Sequence, residues 1–246
     1  MARWFVTGIR GQLGAALARR LPPGEIAGGD LPELDVRDAA AVREAIGRAR
    51  PAVVIHCAAM TDVDGCARDP ALAREVNAGG TANVAGAAAE NGADLVYVGT
   101  NEVFDGEKDG PYVETDLVGP VNAYGRSKLD GEENAARIQP RSWIVRTAWL
   151  YGLGSRNFAS RILQKAAERD ELSVVDNEVG SPTFCDDLAD ALIQLAGTGI
   201  YGTYHLVNEG ACSRFDFARA VLDAAGRPDY PLRPTDHYPR AARPPA

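Results

Sequence analysis

The chain has 246 residues, enough for one large domain or two small ones at roughly 100–200 residues each. Its 26 Lys and Arg against 34 Asp and Glu give a formal charge of −8 and a pI near 5.0, which argues against the clustered basic face of a nucleic-acid binder. Hydrophobic residues at 46% and charged residues at 24% can build a sizeable core, so disorder of the whole chain is excluded. No run of 18 apolar residues exists to span a membrane. The opening Met-Ala-Arg-Trp-Phe-Val-Thr-Gly lacks a signal peptide's apolar region and cleavage site. Cys57, Cys66, Cys185 and Cys212 show neither Cys-x-x-Cys spacing nor the density of a disulfide scaffold. A reduced, cytoplasmic protein is expected.

In chain order, residues 4–7 read as a strand, 12–20 as a helix and 25–27 as a second, short strand. A helix over 38–48 leads to a strand over 52–56, in which Val53, Val54 and Ile55 are β-branched. Asp69-Pro70 supplies a cap and a first-turn proline for one long helix over 69–91. A strand over 95–98, a helix over 123–137 and a strand over 143–146 follow. Buried β-branched runs separated by helical patterns mark βαβ units, so the expected class is α/β, a Rossmann-like doubly wound parallel sheet. Beyond about residue 150 the pattern loosens. Helices over 158–169, 186–196 and 214–225 alternate with short strands over 172–175 and 203–206. The expected division is a dinucleotide-binding domain over 1–150 and a smaller substrate-binding lobe over 151–246. Residues 228–246, with six prolines and three arginines, read as an extended tail.

Gly8, Gly11 and Gly14 are spaced three and three, directly after the first strand and into the first helix. The first allows a tight turn, the second lets the backbone approach a pyrophosphate, and the third permits close helix–strand packing. The helix N-terminus supplies amide donors. Asp30, 22 positions after Gly8, is placed to accept hydrogen bonds from an adenosine ribose. Its carboxylate would repel a 2′-phosphate, whereas Arg10 in the loop could pair with one. The choice between NADH and NADPH stays open at this point.

Tyr124 and Lys128 stand four residues apart at the start of a helical segment, hence on one face. A free phenol, with a pKa of about 10, is a poor acid–base near neutrality, and a nearby ammonium is expected to lower it. The same lysine can bind nicotinamide ribose hydroxyls, and it is one of only three lysines in the chain, which singles it out. Thr100 closes the fourth strand, where its hydroxyl would project at the carboxyl edge of the sheet. Together these groups describe a carbonyl reductase, with Thr100 polarising the carbonyl and Tyr124 giving the proton. No His/Cys cluster has metal-ligand spacing, and no metal is expected. His56 and His205 read as packing residues; Asp62 and Asp64 read as a loop cap and a helix start.

With these residues in hand, the sequence resembles the extended short-chain dehydrogenase/reductase family over nearly its whole length. The resemblance is carried by Thr7-Gly8 through Gly14, Asp35-Val36, the stretch 56–64, Val76-Asn77-Ala78 and Val103-Phe104-Asp105-Gly106. It continues through 122–128, Arg146 to Gly152, 179–183, 204–207 and 238–245. It implies reduction, by NADPH or NADH, of the 4-keto group of a dTDP-linked deoxysugar on the route to dTDP-rhamnose. By the same resemblance Gly11, Gln12 and Leu13 meet the pyrophosphate, and Asp35 and Val36 flank the adenine. Ala59, Met60 and Thr61, with Ala58 before them, pass beneath the nicotinamide side. Thr100, Tyr124 and Lys128 are the implied catalytic residues, with Asn101 and Trp149 facing the sugar; an indole suits a deoxysugar because it offers a flat apolar face and one donor. Two other readings share these features: a nucleotide-sugar epimerase or dehydratase that retains its cofactor, and a non-catalytic NADP-binding regulatory subunit.

The sequence departs from the family pattern in two places. Gly99-Thr100-Asn101-Glu102 stands where the family carries Ser-Thr-Asp-Tyr, so a carboxylate replaces an aromatic ring near the sugar. The chain also stops just after Ala-Arg-Pro-Pro, where relatives continue, which suggests a truncated fragment or the absence of a terminal helix. The family's homodimer pairing is left open here and its Mg²⁺ is not carried over. Arg156 is a candidate for the pocket border. The tail, through Arg240 and Arg243, is expected to close over a substrate diphosphate.

Overall fold

The structure, a computed structural model, describes residues 3–154 and 156–237. The first half alternates strand and helix: β1 (Trp4–Thr7), α1 (Gln12–Arg20), β2 (Ile26–Gly29), α2 (Ala39–Ala49) and β3 (Val53–His56). Then come α3 (Val63–Arg68), α4 (Pro70–Arg74), a π-turn (Glu75–Gly79), α5 (Gly80–Glu90), β4 (Asp94–Thr100), α6 (Ala123–Ile138) and β5 (Ser142–Thr147). The second half contributes β6 (Leu150–Tyr151), α7 (Phe158–Glu168), β7 (Leu172–Val175), β8 (Val179–Gly180), β9 (Thr183–Phe184) and α8 (Cys185–Ala196). It ends with β10 (Gly202–His205), β11 (Cys212–Ser213), α9 (Arg214–Ala224) and β12 (Leu232–Thr235).

Six strands form one parallel sheet in the order β2-β1-β3-β4-β5-β10. Strand periodicity builds its two cores. Trp4 and Val6 of β1, Val53 and Ile55 of β3, and Val96 and Val98 of β4 face α1 and α8, against Leu13, Leu17, Leu188 and Leu192. The intervening Phe5, Val54, Leu95 and Tyr97 face the other way, against Val42, Ile46, Val84 and Ala88 of α2 and α5. With both faces covered, the fold is α/β and doubly wound. The chain passes from β1 to β2 on one side and back across to β3 on the other. That reversal opens a crevice at the carboxyl ends of the strands. β10 and α8, from beyond residue 150, complete this core rather than leave it. A third cluster, including Ile162, Leu172, Val174 and Leu222, joins α7, α9, β7 and β12 beside the sheet.

Several expectations shift. The long helix expected over 69–91 is found over 70–90, running unbroken through α4 and α5 with a π-turn between them, and α3 precedes it. Asp69 caps α4 as expected, accepting from Leu72 N at 2.9 Å. The π-turn holds the buried Asn77, whose side chain binds both backbone groups of Met60: Oδ1 accepts from Met60 N at 2.8 Å, and Nδ2 donates to Met60 O at 3.1 Å. The wider turn thus carries the side chain that holds Met60, a residue of the cleft, in place. The second strand lies over 26–29 rather than 25–27, and β6, β8, β9 and β11 are two-residue strands that no periodicity could reveal. Within the expected tail, Leu232–Thr235 pairs in parallel with β7.

Candidate active site

The glycine loop is built by backbone proximity. Gly8 has a φ of +67°, favourable to glycine, and any Cβ at Gly14 would lie 2.2 Å from Gly8 O. Gly11 caps α1 without a side-chain acceptor, so no side chain of the capping residue takes up the first-turn amides. Gln12 Oε1 is buried with no hydrogen-bond partner. An unsatisfied buried amide oxygen beside a side-chain-free helix start is an arrangement that a bound dinucleotide would complete.

Asp30, at the end of β2, accepts from Arg10 N through Oδ2 and from Leu31 N through Oδ1, both at 2.9 Å. Its carboxylate therefore ties the glycine loop to the following turn, as well as facing the crevice. The Arg10 guanidinium binds Leu31 O and Glu33. Asp35 is paired with Arg37 at 2.5 Å, which holds its carboxyl below the usual carboxylate range. At the centre, Ala58 N donates to Thr7 Oγ1 at 3.3 Å, and Thr7 Oγ1 lies 2.7 Å from His56 Nδ1. His56 Nε2 lies 3.0 Å from Thr81 Oγ1, which donates to Asn77 O at 2.5 Å. With the Thr81 proton committed to Asn77, the Nε2-protonated tautomer of His56 satisfies every bond in this chain. Burial pushes the His56 pKa down to about 3, so the ring is neutral.

Thr100, Tyr124 and Lys128, the expected acid–base residues, sit where β4 and α6 meet. Thr100 ends β4 beside Thr147 of β5, and its Oγ1 accepts from Glu102 N at 3.2 Å. Asn122 caps α6, accepting from Gly125 N at 2.8 Å, while its Nδ2 donates to Glu102 Oε2 at 2.7 Å. A Cβ on Gly125 would lie 2.0 Å from Glu102 O, so glycine is needed for the start of α6 to dock on this turn. Tyr124 is the second residue of α6, and Lys128 follows one turn later. Lys128 Nζ donates to Val98 O at 2.8 Å and lies 4.4 Å from the centre of the Tyr97 ring; Tyr97 OH donates to Lys128 O at 2.7 Å.

The electrostatics correct one expectation. Burial, then the charge of Glu102, raise the Tyr124 pKa well above that of an ordinary phenol, with a hydrogen bond from Thr100 opposing them. Lys128 does not lower it. The lysine is itself desolvated and pulled down to about 8, and its ammonium is turned to Val98 O. The phenol accordingly keeps its proton, the state a proton donor requires.

One cleft of about 860 Å³ collects the sequence-predicted residues. It runs from Gly8, Gly11, Gln12, Leu13 and Gly14, past Asp30, Asp35 and Val36, over Ala58, Ala59, Met60 and Thr61. It reaches Thr100, Asn101, Tyr124, Lys128 and Trp149. Glu102, read from sequence as a carboxylate near the sugar, also lines it, as do Arg37, Thr147 and Arg214, which were not singled out as site residues from sequence. Thr147 Oγ1 is buried without a partner. Asn77 was quoted only within a motif; its tie to Met60 and Ser127 emerges from the π-turn. Asp64 sits in the first turn of α3, as expected, but Asp62, the residue before that helix, makes no cap hydrogen bond with its side chain and instead pairs with Arg68 at 3.3 Å. Arg156 does not line the cleft. Ser155 and residues 238–246, with Arg240 and Arg243, lie outside the described residues. Among the described residues no group of three or more His, Cys, Asp or Glu could hold a metal ion, and no helix is long and apolar enough to cross a membrane.

Comparison with known proteins places this geometry. The family model described as RmlD substrate binding domain matches residues 2–246. A curated dTDP-4-dehydrorhamnose reductase of Mycobacterium tuberculosis is 40% identical over 253 residues, covering 98% of this chain and 82% of that protein. The crystal structure of a dTDP-4-dehydrorhamnose reductase of Clostridium acetobutylicum is 39% identical, with a TM-score of 0.94 over 98% of this chain and 87% of that one. The Bacillus anthracis enzyme of the same name, solved in complex with NADP, is 38% identical, with a TM-score of 0.94 over 100% of this chain and 89% of that one. By family model, sequence and fold together, the chain belongs to the RmlD substrate binding domain family, within the extended short-chain dehydrogenase/reductases that its motifs resemble.

Proposed function

We propose that this protein reduces the 4-keto group of a dTDP-linked 6-deoxyhexose, dTDP-4-dehydrorhamnose, with NADPH as electron donor. The observation that carries the reading is a single cleft holding a glycine loop at one end and Thr100, Tyr124 and Lys128 at another. The names of the relatives and the NADP bound to the Bacillus anthracis structure support the substrate and the coenzyme. The sheet and its helices would hold the dinucleotide, while Trp149 and the elements packed beside the sheet, α7 and α9 with their short strands, would hold the sugar nucleotide. Four free thiols support a reducing, cytoplasmic setting.

Each residue's contribution follows from its surroundings. Gly8, Gly11 and Gly14 admit a pyrophosphate against the start of α1, and Gln12 would accept through its unpartnered Oε1 from a hydroxyl of the coenzyme. Ala58 to Thr61, tied down by Asn77 and the Thr7–His56–Thr81 chain, form the floor. The coenzyme, when bound, supplies the hydride. Thr100 polarises the sugar carbonyl by hydrogen bonding. Tyr124 gives its phenolic proton to the oxygen that gains charge. Lys128, cationic below pH of about 8, would hold the nicotinamide ribose hydroxyls and so keep the hydride donor in place.

The test is reduced-nicotinamide absorbance on adding dTDP-4-keto-6-deoxy sugar, with one coenzyme oxidised per sugar reduced. Tyr124→Phe should lower turnover by about 10²–10⁴-fold and leave coenzyme affinity unchanged. Sugar conversion without net coenzyme consumption would instead favour an epimerase or dehydratase, and coenzyme binding without any turnover a regulatory subunit.

A further inference from the structure

Among the described residues lining the cleft, two side-chain polar atoms are buried without a hydrogen-bond partner: Gln12 Oε1 at the start of α1 and Thr147 Oγ1 at the end of β5. Buried polar groups are almost always bonded, so each calls for a partner. Gln12 belongs to the glycine loop. Thr147, 4% exposed, stands away from that loop and outside the set of Thr100, Tyr124 and Lys128.

The sheet places it. β4 and β5 pair in parallel, with Val98 opposite Val145 and Thr100 opposite Thr147, so the two threonines end neighbouring strands on one face. Val98 and Val145, two residues earlier, lie in the apolar core under α1 and α8. At the carboxyl ends of the strands the same rows of side chains reach the cleft. The two hydroxyls there are not equivalent. Thr100 Oγ1 accepts from Glu102 N at 3.2 Å and is hydrogen-bonded to Tyr124. Thr147 Oγ1, able both to donate and to accept, does neither.

We propose that Thr147 is a coenzyme-binding residue whose hydroxyl holds the carboxamide of the nicotinamide ring. Strand order says why that group would arrive there. From β2 to β5 the strand ends run Asp30, Gly8, Ala58, Thr100 and Thr147, about 19 Å across at the usual strand spacing. A dinucleotide with its adenosine ribose at Asp30 and its pyrophosphate at the glycine loop would lie along this line, past Ala58 to Thr61. Its nicotinamide ribose would meet Lys128, which reaches β4 through Val98 O. The next strand is β5, so the ring beyond that ribose would bring its carboxamide to Thr147. A carboxamide carries an acceptor and a donor, and a hydroxyl complements either. The proposal rests on the coenzyme half of the reductase reading and names the side chain that sets how the hydride-bearing ring is turned.

Titration of the full chain with NADPH and with 2′-phospho-ADP-ribose, the same molecule without nicotinamide, tests it in wild type and Thr147→Val. Valine keeps the β-branched shape and removes the hydroxyl. The expected result is NADPH affinity lower by about 3- to 10-fold, the loss of one hydrogen bond, with 2′-phospho-ADP-ribose affinity unchanged. The urea midpoint of the coenzyme-free valine variant should not fall below that of wild type, because the hydroxyl has no protein partner to lose. Thr147→Ser, which keeps a hydroxyl, should bind NADPH nearly as wild type does. Thr147→Ala should match valine and decides the matter if the valine variant does not fold. Wild-type NADPH affinity in both hydroxyl-free variants overturns the proposal, and so does an equal loss for the two ligands, which would place the effect away from the nicotinamide. A raised KM for the dTDP-4-keto-6-deoxy sugar at unchanged NADPH affinity also overturns it and gives the hydroxyl to the sugar. Failure of the wild-type chain to bind NADPH overturns this proposal and the reductase reading together.

Discussion

Tyr124 and Lys128 share a face of α6, but different neighbours govern their protons. Burial and Glu102 keep the phenol protonated, and desolvation brings Lys128 to about 8. The dependence of kcat/KM on pH, which reports the free enzyme, should therefore fall above a basic limb near pH 8 as the lysine becomes neutral. The phenol, held well above its ordinary range, does not produce that limb. Lys128→Met should lower kcat/KM and remove the limb, whereas Tyr124→Phe should lower turnover without moving it. A wild-type profile flat to pH 9.5 would contradict the assignment. That Thr100, Tyr124 and Lys128 would meet in one cleft was legible because the proposed chemistry restricts which residue types can serve it. Arg214 and the Glu102 contacts were not, because the β8–β11 pairing and the Asn122 cap that place them are long-range facts.

At the scale of elements, the alternating strands and helices of residues 4–147 could be read from periodicity, because every strand but the half-exposed β2 is buried on both faces and the helices each present an apolar side. The π-turn could not. At its centre stands Asn77, 1% exposed, which bonds Met60 N and Met60 O and donates to Ser127 Oγ at 2.9 Å. One side chain thus links α5's approach, the floor of the cleft and α6. Asn77→Ala should strand the Met60 amide and free the 58–61 segment. A loss of about 2–4 kcal/mol is expected, from two or three buried hydrogen bonds at roughly 1–3 kcal/mol each with partial compensation by water. NADPH affinity should drop with it. Urea unfolding and coenzyme titration measure the two effects, and a variant with wild-type stability would show that the wider turn does not depend on these bonds.

The whole molecule inherits a pH dependence from the same interior. His56 lies on the central strand β3 at 2% exposure, and its neutral ring joins β1 to α5 through Thr7 and Thr81. Protonating Nδ1 would turn an acceptor into a donor facing Thr7 Oγ1 and bury a charge. With a folded-state pKa of about 3 against an ordinary 6.5, the unfolded chain binds more protons throughout that interval. Stability therefore rises with pH between 3 and 6.5, with no penalty above 6.5 and the full penalty below 3. The limiting slope is about 1.4 kcal/mol per pH unit, so lowering pH from 6.5 to 5 should cost roughly 2 kcal/mol. Carboxylates with lowered pKa values, such as Asp35 and Asp116, act at lower pH. His205, also shifted down by burial, adds a contribution of the same sign in the same interval. Urea midpoints at pH 5 to 7 should trace this slope. His56→Gln, whose amide can still give and accept a hydrogen bond, should flatten most of it, and His205→Gln the remainder. Stability independent of pH from 5 to 6.5 in the wild-type chain would mean that the ring takes up its proton without disturbing the Thr7–Thr81 bridge.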